Sequence, residues 1–137
     1  MPEIFADTFY WIALANPADA SHHAARDFDL TNAEAALVTI TTDEVLSEFL
    51  NYFADAGKRK RGIVVGMFEE AMKHADIEVL PQTRQSFLRG LDLYKARSDK
   101  SYSLTDCISM ATMRERNITD VLTHDRHFAQ EGFRLLL

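Results

Sequence analysis

Short apolar runs, often β-branched, alternate along the chain with longer segments whose apolar positions recur at helical spacing. EIFAD (3–7) predicts a buried strand, followed by a short helix through TFYWIALA. SHHAARDFDL (21–30) reads as a helix with Ser21 as N-cap, and ALVTI (36–40) as a second strand. TTDEVLSEFLNYFADAG (41–57) predicts a helix opened by the capping pattern Thr41-x-x-Glu44 and stopped by Gly57. Val45, Leu46, Phe49, Leu50 and Phe53 form its apolar arc, which sends Glu44 toward solvent and sets Glu48 at the arc's edge beside Tyr52.

KRKR (58–61) reads as a basic turn, then a helix runs through IVVGMFEEAMKHA. IEVLP (77–81) is a third strand, and Thr83 to about Arg97 a further helix. After the loop SDKSYS, LTDCISMATMRERN (104–117) is a helix capped by Ser103. ITDVLTHD (118–125) is a fourth strand, RHFAQEGF holds a short helix, and FRLLL ends the chain as a strand.

Strands separated by whole helices cannot be hairpins, so the pattern predicts β-α-β crossovers and a mainly parallel sheet. The expected architecture is a three-layer α/β/α sandwich, a single domain over residues 1–137. Ligands of such sheets bind beyond the carboxyl ends of the strands, which gives each residue there a possible use.

The net charge of −6 argues against a protein that coats nucleic acid, but not against a nuclease, which needs carboxylates for metal ions. A lone cysteine, Cys107, cannot close an intrachain disulfide and suits a cytoplasmic location. No signal peptide or membrane-spanning run is expected, because Asp7 interrupts the first apolar stretch.

Four acids fall where the topology would gather them. Asp7 ends the first strand, Asp125 ends the fourth, Asp106 lies in the first turn of its helix, and Glu48 is within reach. Each has an ordinary structural use as well: Asp7 and Asp125 as N-caps, Asp106 in the acidic capping pattern Ser103-x-x-Asp106, and Glu48 as a surface residue. Four carboxylates in one pocket repel, however, unless cations balance them. All-oxygen ligation suits one or two Mg²⁺ or Mn²⁺ ions, which serve phosphodiester hydrolysis.

FADTFYWIAL, VLSEFL, SLTDCISMATM and LTHDRHFAQEGFRLL resemble, in order, the four acidic motifs of PIN-domain proteins, most nearly the small VapC-type toxin ribonucleases. The resemblance implies a PIN fold with Asp7, Glu48, Asp106 and Asp125 as catalytic metal-binding acids. Thr8, Thr105 and Thr123 are the implied polar helpers, and Asp99 an outer acid. It further implies a Mg²⁺- or Mn²⁺-dependent RNA endonuclease, a homodimer and a small antitoxin partner. Phe9 stands where many members carry serine.

Other features have plainer uses. KRKR reads as a solvated turn, and Arg84, Arg89, Lys95, Arg97 and Lys100 form a second basic patch preferred for substrate. Tyr102, Lys100, Arg97 and Arg126 are the RNA-binding candidates, Tyr102 by stacking on a base. Trp11 reads as core and Cys107 as inert packing. His124 and His127 look like an H-x-x-H pair, but no further His or Cys cluster completes a zinc site, so both read as residues flanking Asp125, with a role in supporting the site or meeting a substrate phosphate open to one of them. The alternative to an enzyme is a PIN-like module that binds RNA or protein without turnover. A receiver domain or aspartate phosphatase lacks its required residues: Phe9 stands where the phosphatase needs a second aspartate.

Overall fold

A computed structural model describes residues 2–137. Five parallel strands lie in the order β3-β2-β1-β4-β5, where β1 is Glu3–Ala6, β2 Val38–Thr42, β3 Ile77–Leu80, β4 Asp120–Leu122 and β5 Arg134–Leu135. Seven helices supply the crossovers and flanks: α1 (Thr8–Ala15), α2 (His22–Ala35), α3 (Asp43–Tyr52), α4 (Lys58–Lys73), α5 (Arg84–Ala96), α6 (Leu104–Glu115) and α7 (Arg126–Gln130). The α/β architecture with a parallel sheet is therefore as the sequence pattern predicts. Every strand carboxyl end points to one edge of the sheet.

Central strands are buried on both faces, which is why they read as continuous apolar runs. Ile4, Phe5, Ala6, Ile40, Val121 and Leu122 are all at most 2% exposed. They pack against Trp11, Leu46, Phe49, Met110, Met113 and Phe128 from the helices. Trp11 and Cys107 are core, as expected. The sharpest steric demand lies between α5 and α6: a Cβ on Gly90 would sit 2.2 Å from Ile108 Cγ1 and 2.9 Å from its Cα. Only glycine lets these helices approach so closely.

Several local expectations need correction. The cap of α3 is Thr42, whose hydroxyl accepts from the Val45 amide at 3.1 Å; Thr41 instead turns inward and donates to the Ala6 carbonyl at 2.9 Å. Glu44 does not face solvent: one carboxylate oxygen is buried, and burial pushes its pKa up. Gly57 does not stop α3, which ends at Tyr52; it is the N-cap of α4, at φ +93°, a conformation that favours glycine. KRKR is not a turn but the first helical turn of α4. Ser21 precedes α2 without a side-chain capping bond. Among the described residues, no helix is long and apolar enough to cross a membrane.

Candidate active site

The carboxyl edge of the sheet gathers the acids. Asp7 follows β1 at the N-cap position of α1, yet its side chain makes no capping hydrogen bond. It is 3% exposed, and its Oδ2 accepts from the Thr123 hydroxyl at 2.9 Å. That same Thr123 oxygen accepts from the Asp125 amide at 3.1 Å. A hydroxyl has one proton to give, so Thr123 is committed to Asp7 while it fixes the turn that carries Asp125. Thr8 donates to Glu48 Oε1 at 2.5 Å and so draws the α3 carboxylate toward β1.

Asp106 and Asp125 keep their structural uses while facing the cleft. Asp106 Oδ2 accepts from the Ser103 amide at 3.1 Å, and the Ser103 hydroxyl accepts from the Asp106 amide at 3.0 Å, a reciprocal capping box. Asp125 Oδ1 accepts from the His127 amide at 2.9 Å. Asp7, Thr8, Glu48, Asp106 and Asp125 line an open cleft of about 560 Å³, walled on one side by Phe9, Ile12, Asn51 and Tyr52.

Crowding and burial mark the site electrostatically. Burial, reinforced by the charges of Asp106 and Glu48, pushes the Asp7 carboxyl up to about 7, although the Thr123 hydroxyl and the Thr8 amide oppose it. Burial likewise raises Asp106, with the Asp125 charge adding to it against the Ser103 bonds. A cation bound at this edge would relieve the repulsion among these carboxyls, and Asp106 and Asp125 with His127 are placed so that they could hold one.

His127 stands closer to the acids than a flanking residue would. His127 Nδ1 lies 3.6 Å from Asp106 Oδ2 and 3.5 Å from Asp125 Oδ1, too far for a good hydrogen bond, and is buried without a partner. His124 goes the other way: it is exposed and its ring stands 4.3 Å from that of Phe9. The H-x-x-H pair is thus not a unit: one member sits by the acids and the other by Phe9. The available signal was His127's place in the first turn of α7, two residues after an N-capping acid.

The substrate candidates fare unevenly. Tyr102 is not a free stacking platform: it is 5% exposed, its hydroxyl donates to Glu131 at 2.9 Å, and its ring packs 5.2 Å from that of His127. Arg97 is not a free cation, since it is paired with Glu131 at 2.9 Å; in the same patch Arg89 is paired with Glu115 at 2.7 Å. Lys100 and Arg126 are exposed. Asp99 is exposed in the loop before α6, and among the described residues neither it nor Thr105 hydrogen-bonds to the acids through its side chain.

Glu131, absent from the sequence reading, is the hub of this flank. It is paired with Arg97, Arg114 and the Tyr102 hydroxyl, and its side chain is 6% exposed. Burial alone would raise its carboxyl, but the three donors outweigh that and hold it at about 2. A carboxyl lowered on folding stabilises the protein above its unfolded pKa, and that contribution is lost as pH falls from about 4.5 toward 2. Glu131→Gln is therefore expected to reduce stability at pH 7 by about 3 kcal/mol, read from urea midpoints. The gap to the unsubstituted protein should close through the same acid window.

The profile of the PIN domain family matches residues 4–133. The chain belongs to the PIN domain family. A curated relative, the 23S rRNA-specific endonuclease VapC20 of Mycobacterium tuberculosis, is 25% identical over 134 residues, covering 95% of both chains. The crystal structure of the same VapC20, described as a sarcin–ricin loop cleaving toxin, superposes with TM-score 0.82 over 96% of each chain at 25% identity. VapBC2 of Rickettsia felis, solved on a promoter DNA fragment, superposes with TM-score 0.66 at 14% identity, covering 97% of this chain and 96% of that one, and shares the fold. The acidic edge of this PIN domain is therefore built on the same scaffold as a named endonuclease.

Proposed function

We propose that this PIN domain is a divalent-metal-dependent endoribonuclease, the toxin of a toxin–antitoxin pair acting in the cytoplasm. The observation that carries the reading is the convergence of Asp7, Glu48, Asp106 and Asp125 on one cleft, with Asp7 almost wholly buried there. The name of the VapC20 relative supports RNA, and ribosomal RNA in particular, as substrate. The description of the VapC20 structure as a toxin supports a small antitoxin partner that would neutralise it. Exposed apolar side chains such as Leu30, Tyr52 and Met72 suit such a partner or a second copy in a homodimer.

The residues present fit Mg²⁺ or Mn²⁺: oxygen donors predominate, and one buried nitrogen, His127 Nδ1, stands unpartnered beside them. Asp7, Asp106 and Asp125 would hold the ion directly and Glu48 directly or through water. When bound, one or two such ions neutralise the acids, activate water and steady the leaving oxygen of the phosphodiester. The chain's own part is positional. Thr123 orients Asp7 while fixing the Asp125 turn, Ser103 holds Asp106, and Thr8 holds Glu48. Phe9, Ile12 and Tyr52 supply an apolar wall that limits water on one side of the cleft.

Purified protein is expected to cleave ribosomal RNA internally in Mn²⁺ or Mg²⁺ and to lose that activity in excess EDTA, as read on denaturing gels. Intact RNA in both metals, with the protein folded and the antitoxin absent, would sink the proposal.

A further inference from the structure

Among the described residues, His127 Nδ1 is a buried donor atom at the acidic edge that the proposed reaction leaves without a task. We infer that His127 is a direct nitrogen ligand of the divalent ion, making this a mixed nitrogen–oxygen centre that favours Mn²⁺ over Mg²⁺ more than carboxylates alone would. The inference rests on the metal-nuclease reading and adds a ligand and a selectivity to it.

Three observations support it. First, single donor atoms of Asp106, Asp125 and His127 all lie within 4.8 Å of one another. Ligands about 2.1 Å from a common octahedral ion are about 3 Å apart, so the 3.5 and 3.6 Å separations need only a small closure. Second, Nδ1 is buried with no hydrogen-bond partner, a costly state that ligation would relieve.

Third, the ring is held from behind. The His127 amide is bound to Asp125, and its ring packs against Tyr102. The Tyr102 hydroxyl is in turn anchored on Glu131, which Arg97 and Arg114 clamp. Tyr102 and Glu131 are then positioning residues for the imidazole, since supports of this kind orient metal-ligating histidines. Ligation through Nδ1 places the ring proton on Nε2. Mn²⁺, as a transition ion, accepts an imidazole nitrogen more readily than Mg²⁺, which prefers oxygen and keeps its water.

The test is pulsed EPR on tag-free protein loaded with Mn²⁺, with titration calorimetry of Mn²⁺ and Mg²⁺. Directly ligated imidazole couples ¹⁴N to the manganese spin. The coupling is expected in the unsubstituted protein, lost in His127→Asn and kept in His124→Asn. The ratio of Mg²⁺ to Mn²⁺ dissociation constants is expected to fall about tenfold in His127→Asn. Bound Mn²⁺ without ¹⁴N coupling, or coupling that survives His127→Asn, overturns the ligand assignment alone. Failure of the unsubstituted protein to bind Mn²⁺ at all overturns the metal reading beneath it as well. If His127→Asn does not fold, selective ¹⁵N-histidine labelling of the unsubstituted protein decides: an unchanged modulation pattern overturns the assignment.

Discussion

Asp106→Asn is expected to lower metal-dependent RNA cleavage by about a thousandfold, or about 4 kcal/mol of transition-state stabilisation. The substitution isolates chemistry from folding. The asparagine carbonyl oxygen can still accept the Ser103 amide proton, so the capping box that opens α6 survives. What disappears is one negative charge beside Asp125 and the ligand it would give the ion. Since burial and the Asp125 charge already raise the Asp106 carboxyl, the metal-free variant is expected to be at least as stable as its parent. Turnover by single-exponential cleavage assay and stability by thermal melting check the two halves. Activity within tenfold of the parent would remove Asp106 from the site.

The second large effect concerns Asp7 and pH. Its carboxyl is raised on folding to about 7, so the folded state holds a proton that the unfolded chain has released. The sign follows: this contribution to stability is full below the unfolded value near 4 and is lost as pH rises through about 7. Its size is about 4 kcal/mol over that window. In EDTA, urea midpoints are expected to fall from pH 5 to pH 8, and Asp7→Asn should remove most of the slope relative to its parent. Added Mn²⁺ at pH 8 should restore stability, because an ion that binds only the folded acids favours that state by mass action. Parallel pH profiles for parent and variant would show that Asp7 is not the group responsible. Glu131 acts with the opposite sign and below pH 4.5, so the two windows meet only in the narrow range between 3.8 and 4.5.

The alternation of strands and helices was legible because both faces of the sheet are covered, which leaves the strands as apolar runs between amphipathic segments. The strand-end rule also led to the four acids, each with an innocent local use that the structure retains for Asp106 and Asp125. Features set by distant contacts escaped. Thr41 and Thr42 are indistinguishable as caps until the sheet turns Thr41 toward the Ala6 carbonyl. Four consecutive cations carry no apolar period, so the first turn of α4 looked like a loop. Tyr102 read as a loop aromatic because its partner, Glu131, lies 29 residues away. With that partner unseen, the support behind His127 was invisible too.

The strand order has a consequence for synthesis. β1 is made first, yet it lies between β2 and β4, and Asp7 faces Thr123 and Asp125 across nearly the whole length of the chain. A contact of such high sequence separation cannot form until both of its partners have been made. A ribosome making this protein therefore carries a chain with an incomplete acidic cleft until residue 125 has emerged. For an enzyme whose proposed substrate includes ribosomal RNA, the topology itself delays competence until the segment that carries Thr123 and Asp125 has been made.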